Sequence, residues 1–321
     1  MTSRASIQRV ALTGGSGQLG RAIIRQLAGR EDVSLLALNR SETAQPEADN
    51  VRRVITNLKD TGKIDSLLQE FQPTVFIHAA ATGMQHPRPD FSTLADVNVR
   101  LPVQLAEAAG RVKDCSFLHV SSGLAYQDQG RPLREDDPLE TAHLYGASKA
   151  LAEKELKTFA LGSKLHLIIV RPFSFTGEGD VGTRLFPSLL QHATAGVPFE
   201  MSTGDQVRDH SSVDDIAAGI VAAASLTSKT EPAAIYNLGR GDTRTLRELV
   251  EFVIEELQIK VEGRFGTRPL GADEPMFLVP DLRHVQATLD WKARENIAHA
   301  VWRLARSSYP ALNLREPARQ V

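Results

Sequence analysis

ALTGGSGQLGRAI, residues 11–23, sets Gly14, Gly17 and Gly20 between a short apolar run and a stretch with helical periodicity. Each glycine adds backbone freedom that folding must remove, so three at one strand-to-helix junction need a reason. A tight turn there, with backbone approaching a ligand closely and a helix opening just beyond, forms a site for a pyrophosphate at the positive helix terminus. The spacing is Gly-x-x-Gly-x-x-Gly, not the commoner Gly-x-Gly-x-x-Gly, and a glycine-rich turn with no ligand is the plain alternative. The flanking strand and helix favour the dinucleotide site.

Working outward, QRVALT, SLLAL, RRVITNL, TVFIHAA, SFLHVSS and LHLIIVRP read as strands. Between them lie amphipathic stretches such as IDSLLQEF, VRLPVQLAEAAGRV and SKALAEKELKTFA. Apolar strands without polar alternation, each followed by a helix, predict a doubly wound α/β domain with a parallel sheet covered on both faces. We expect this Rossmann-type domain over residues 1–172, with a segment near 205–240 crossing back to it. Residues 173–321 then form mainly a smaller, C-terminal substrate-binding lobe.

A chain of 321 residues with 42% hydrophobic and 24% charged residues can bury a large core. A net charge of −2 gives no basic field, so neither nucleic acid nor an anionic membrane is expected as a partner. The single cysteine, Cys115, lies in the apolar run CSFLHV and reads as a buried thiol. The opening MTSRASIQRV has no secretory h-region and no apolar run is long enough to span a bilayer, so the expected location is cytoplasmic. No metal site is expected.

At the end of the second strand, where NAD-binding domains place an acid for the ribose hydroxyls, this chain has Asn39 and Arg40. An arginine suits a 2′-phosphate, which favours NADP over NAD; a solvated loop arginine is the alternative. Tyr145 and Lys149, four apart in LYGASK, share a helix face. Their helix follows a strand whose end delivers Ser121 and Ser122 to the crevice where open α/β sheets bind ligands. Tyr145 there can exchange a proton with a carbonyl or alcohol, and a nearby ammonium is expected to lower its pKa from about 10.

Taken together, these segments resemble the extended short-chain dehydrogenases/reductases of the NAD-dependent epimerase/dehydratase type. TGGSGQLG resembles the family's TGxxGxxG loop, IHAA its fourth strand, VSSGLAYQ its SSSxxVYG strand end, YGASK its YxxxK pair, RPFSFTGEG its RPxNxxGPG segment and VRDHSSVDDIA its RDYxHVDD segment. The resemblance implies a catalytic trio of Ser122, Tyr145 and Lys149, with Lys149 also holding the nicotinamide ribose. It implies cofactor contacts from Gly14, Ser16, Gly17, Gln18, Leu19, Asn39, Arg40, Asn57, Leu58, Ala79, Ala80, Ala81, Asn98, Pro172 and Ser174. Substrate contacts would come from Ser122, Gly123, Tyr145, Ser174, Thr183, Arg184, Arg208 and Arg268, the substrate being a nucleoside-diphosphate sugar. Arg208 would meet the diphosphate, and Arg184 with Thr183 would recognise the nucleotide.

The chain departs from the family pattern at three places. Asn57 replaces an acid at the third strand's end, and Ser174 stands where an asparagine is common. Gly123 and Leu124 replace the Asp and Glu with which sugar-nucleotide dehydratases eliminate water, and elimination needs a positioned acid and base. The leading expectation is therefore an NADP-dependent reductase of a 4-keto sugar nucleotide. An NAD-dependent sugar-nucleotide epimerase is the alternative, and a non-catalytic dinucleotide sensor a more distant one. Helices near 94–112 and 144–161 resemble the pair through which family members form homodimers.

Overall fold

The computed structural model describes residues 8–42, 47–84, 89–226, 233–271 and 274–318. The leader-free reading of the N-terminus lies, up to residue 7, outside the described residues.

Seven strands form one sheet: β1 (Gln8–Thr13), β2 (Val33–Asn39), β3 (Val51–Ile55), β4 (Val75–His78), β5 (Ser116–Val120), β6 (His166–Pro172) and β7 (Ala233–Leu238). Their order is β7-β6-β5-β4-β1-β2-β3, and every pairing is parallel. The predicted doubly wound α/β fold is therefore observed. Parallel strands must return through crossovers, which places helices over both faces and buries the central strands completely. On one face, helices Gln18–Leu27 and Val213–Ala224 pack through Ile23, Leu27, Ile216 and Ile220 against Val10, Leu12 and Leu35. On the other, Leu101–Gly110 and Leu144–Leu161 pack through Leu105, Leu156 and Ala160 against Phe76, Phe117 and Leu167. A separate apolar core joins helices Leu185–Ala195, Leu246–Leu257 and Ile297–Ser308, with Phe186, Val253 and Leu304 at its centre. No helix among the described residues is long and apolar enough to cross a membrane.

Strand order reverses between β1 and β4, both neighbours of the glycine turn, and the crevice above their carboxyl ends is where this topology takes ligands. One buried polar network fixes the rim of that crevice. Arg171 on β6 donates to both oxygens of Glu153, on helix Leu144–Leu161, at 2.9 and 2.6 Å. The same guanidinium reaches the Tyr126 hydroxyl at 2.5 Å and the Glu135 carbonyl at 2.9 Å. Tyr126 donates on to Asn237 of β7 at 2.7 Å, and Ser121, just beyond β5, donates to Glu153 at 2.5 Å. Arg171 and Glu153 are 1% and 0% exposed, so water cannot compensate either charge. The carboxyl of Glu153 is held below its ordinary value by Arg171 and Ser121 despite burial.

Glu153→Gln removes the charge that Arg171 needs. Breaking one partner of a buried pair costs about 3–5 kcal/mol, because the other charge stays uncompensated. Urea unfolding is expected to show that loss, with a reduced midpoint; an unchanged midpoint would mean that the rim does not depend on the pair.

Candidate active site

A cavity of about 650 Å³ runs from the glycine turn across the ends of β5 and β6 to the second core. Its walls include Gly14, Gly17, Gln18 and Leu19 at one end, Ser122, Tyr145 and Lys149 in the middle, and Arg208 and Arg268 toward the other. Residues far apart in sequence are thus brought to one space.

Each glycine of the opening stretch has its own geometric cause. Gly14 has φ +79°, and a Cβ on it would lie 2.6 Å from the Ala80 nitrogen. A Cβ on Gly20 would lie 2.1 Å from the Gly14 carbonyl oxygen, so only glycine lets the helix seat against the turn. Gly17 has φ −77° and is exposed, and it caps the helix without any side-chain bond. The helix's positive end is therefore open toward the cavity, which fits a pyrophosphate. Asn39 supports the same reading. It is 3% exposed, its Oδ1 has no hydrogen-bond partner among the described residues, and a Cβ on Gly15 would lie 2.5 Å from that oxygen. A buried acceptor left beside the loop suits a ribose hydroxyl.

Ser122 caps the short turn Gly123–Ala125, its Oγ accepting from the Leu124 N–H at 3.1 Å. A serine hydroxyl accepts and donates at once, so its proton remains free for a substrate oxygen. Lys149 is 1% exposed and donates to the Val120 carbonyl at 2.8 Å. One turn later on the same helix, Glu153 accepts from Ser121. The helix thus grips consecutive residues at the β5 end, and Ser122 and the helix's own Tyr145 share the cavity wall. Gly146 makes this approach possible, since a Cβ there would fall 1.9 Å from the Leu124 carbonyl oxygen. Gly83, at φ +117°, packs under the Tyr145 ring, where a Cβ would lie 2.8 Å from Cδ2.

The expected lowering of the Tyr145 pKa by Lys149 is corrected here. Burial pushes the phenol up to about 12, and the cation that opposes the rise is Arg184. Burial also brings Lys149 down to about 8, with Glu153 pulling it back up. Both shifts disfavour the charged forms, as desolvation requires. His78 and His119 stack on each other with ring centroids 5.7 Å apart, and both fall well below the ordinary histidine value through burial and the Lys149 charge. They are neutral near neutral pH, and Lys149 is the group of this cluster that titrates near pH 8.

Of the residues predicted from sequence, Ala79, Ala81, Pro172, Ser174, Thr183 and Arg184 also line the cavity. Ser16, Asn39, Arg40, Asn57, Leu58, Ala80, Asn98 and Gly123 do not. Asn98 lies in a π-helical turn, Ala95–Arg100. It accepts from the Thr82 N–H and donates to the Thr82 carbonyl and to Ser148, at 2.9–3.0 Å, clamping the loop after β4 to the tyrosine helix. Asn57 is exposed and accepts from the Lys59 N–H at 3.1 Å. Gly123 faces the Phe173 ring, which a Cβ would meet at 3.0 Å. Arg40 is exposed and makes no ion pair among the described residues. Arg208 is paired with Glu274 at 2.7 Å, and Arg268 is exposed at the cavity wall. Sequence reasoning missed Glu153 and Arg171 as a pair, although Arg171 stood in the RPFSF segment and Glu153 one turn after Lys149.

A family model, the NAD dependent epimerase/dehydratase family, matches residues 10–239. The chain belongs to this family of enzymes, as its motifs predicted. Among characterised proteins it is 25% identical to dTDP-L-rhamnose 4-epimerase of Burkholderia thailandensis over 92% of this chain and 90% of that one. It is 32% identical to dTDP-4-dehydrorhamnose reductase of Aggregatibacter actinomycetemcomitans, over 58% of this chain and 57% of that one. The structure of UDP-glucuronic acid 4-epimerase from Bacillus cereus in complex with UDP-glucuronic acid and NAD superposes with a TM-score of 0.82. That superposition covers 95% of this chain and all of the other at 18% identity, so it speaks to the fold.

The depressed Lys149 pKa yields a binding test. Lys149 is charged below about pH 8 and neutral above it, so affinity for NAD is expected to fall as pH rises through that value. In Lys149→Met the affinity is expected to be weaker and flat with pH. Calorimetric titrations between about pH 7 and 9 decide it; a flat wild-type profile would remove the Lys149 charge from dinucleotide binding.

Proposed function

We propose that this chain is an NAD-dependent epimerase of a nucleoside-diphosphate sugar, inverting a ring carbon that carries a hydroxyl. The observation that carries this choice over an NADP-dependent reductase lies at the end of β2. Neither residue there lines the cavity, but Asn39 is neutral and buried and faces Gly15 with an acceptor that has no partner among the described residues, whereas Arg40 is exposed. A neutral acceptor matches ribose hydroxyls and offers no charge to a 2′-phosphate. The near full-length match to an epimerase, against the partial match to a reductase, supports the same reading. Gly123 and Leu124 offer no carboxyl at the positions where dehydratases eliminate water.

A bound nicotinamide supplies the two-electron oxidation and its reversal. Tyr145, as the phenolate, takes the proton of the substrate hydroxyl as that carbon becomes a ketone, and returns it when the other face is reduced. Arg184 supplies the positive charge that favours the phenolate, against burial, which favours the neutral phenol. Ser122 donates its free proton to the same substrate oxygen. Because the proton goes out and comes back within one turnover, the chemistry needs no net proton from solvent. Arg208 meets the diphosphate, exchanging its bond to Glu274 for phosphate oxygens that match its donor fork. The second core carries the substrate-binding side of the cavity.

The reductase reading keeps one support, the 32% identity to a dTDP-4-dehydrorhamnose reductase over part of the chain. Mass spectrometry of the cofactor released by gentle denaturation separates the two. NAD in near-stoichiometric amount is expected, and NADP instead would favour the reductase. Tyr145→Phe is expected to keep the dinucleotide and lose roughly 10²–10⁴-fold in turnover, the usual worth of a positioned acid–base group. Unchanged turnover on the substrate would remove Tyr145 from the chemistry.

The chain is also proposed to pair with a second copy. Phe91, Leu144, Leu151 and Leu161 are 58%, 41%, 40% and 76% exposed on the two helical segments that cover one sheet face. Light scattering at micromolar concentration is expected to give a dimer mass; a monomer mass would exclude the pairing.

A further inference from the structure

Arg184 was expected to read the substrate's nucleotide, yet its bonds run to the opposite end of the cavity. Its Nη2 donates to Gln18 Oε1 at 2.9 Å and to the Phe175 carbonyl at 3.0 Å, and pairs with Asp180 at 2.8 Å. Gln18 is the first residue of the helix that opens at Gly17. Three further contacts join the segment before Arg184 to that helix. Gln18 Nε2 donates to the Gly177 carbonyl at 3.3 Å, and Arg21 Nη2 to the Gly179 carbonyl at 3.2 Å. Arg25 lies 3.8 Å from Glu178 and 2.9 Å from Asp214.

Residues 177–184 therefore lie along the first helix, tied at Gln18, Arg21 and Arg25, its successive turns. The shape of the segment is specialised for this. Gly177, Gly179 and Gly182 have φ of +142°, +80° and +86°, and a Cβ on Gly179 would lie 2.1 Å from Arg21 Nη2. Asp180, 3% exposed, accepts from Thr176 at 2.7 Å and neutralises Arg184 from within. Asp180, Thr183 and Arg184 share the cavity wall with Gly14, Gly17 and Gln18.

We propose that residues 177–184 belong to the dinucleotide site: the segment straps the bound dinucleotide at the open end of the first helix, and Arg184 pins it there. This rests on the reading of the glycine turn as the pyrophosphate site. A strap bonded to that helix turn must detach, or flex about its glycines, before the dinucleotide can leave. Slow exchange suits an enzyme that reoxidises its own cofactor within each turnover, whereas a reductase must release an oxidised cofactor every cycle. Arg184 brings guanidinium donors beside the helix terminus, so an anionic group held there gains a second partner by exchange with Asp180.

The test is the rate at which NAD leaves the loaded protein, followed by chase with excess unlabelled NAD, in wild type, Arg184→Ala and Arg21→Ala. Arg21 is not on the cavity wall and donates to the strap at the Gly179 carbonyl, so its replacement loosens the strap without touching the cavity. Both variants are expected to release NAD at least about tenfold faster, equivalent to about 1.4 kcal/mol, with unchanged thermal midpoints before loading. Release at the wild-type rate in both variants overturns the strap. A raised KM for UDP-glucose in Arg184→Ala with unchanged NAD release also overturns it and returns Arg184 to the substrate. A wild-type protein that retains neither NAD nor NADP overturns the dinucleotide reading itself, and the strap with it.

Discussion

The buried ion pair between Arg171 and Glu153 is the constraint on which the site depends. Two charges removed from water are costly, and their attraction compensates only when geometry is good and the remaining lone pairs and protons are satisfied. Here both carboxylate oxygens accept from Arg171, a third bond comes from Ser121, and the guanidinium is completed by Tyr126 and the Glu135 carbonyl. Such completeness fixes directions as well as distances. It ties β6 to the tyrosine helix, the helix to the end of β5, and, through Tyr126 and Asn237, β6 to β7. Ser122, Lys149 and Tyr145 take their places from those ties.

The same exclusion of water that makes the pair rigid tunes the reacting groups in opposite senses. Tyr145 is held neutral and Lys149 loses part of its preference for the ammonium. Neither shift suits proton abstraction in isolation. The cation that acts against burial at Tyr145 is Arg184. Two acids lining the cavity are already engaged, Asp180 with Arg184 and Glu274 with Arg208, so those two arginines are released to a ligand only by exchange. These two pairs leave neither partner uncompensated before a ligand arrives.

Glycine is used at this site for contact rather than for looseness. Gly20 lets a helix press on a turn, and Gly146 lets another press on the Leu124 carbonyl. Each close approach would be lost with one methyl group. The strap differs, because Gly177, Gly179 and Gly182 provide left-handed backbone that side chains rarely adopt. The two uses place rigid walls around the reacting atoms and a bent segment across the exit.

Periodicity and apolar runs by themselves determined the parallel sheet, because a strand buried on both faces reads as a near-continuous apolar run. Local motifs likewise determined the glycine turn, the Tyr145–Lys149 face and the Ser122 strand end, since each depends on neighbours in sequence. What the sequence left open were relations across long separations. Arg184 read as a substrate contact, and only the packing of residues 177–184 along the first helix brought it to Gln18, 166 positions away. Asn39 and Arg40 both read as cofactor contacts, and only the tertiary packing set the Asn39 amide against Gly15. Lys149 read as the group that lowers Tyr145, and only burial decided otherwise, because desolvation depends on everything packed around a group and on no single residue beside it.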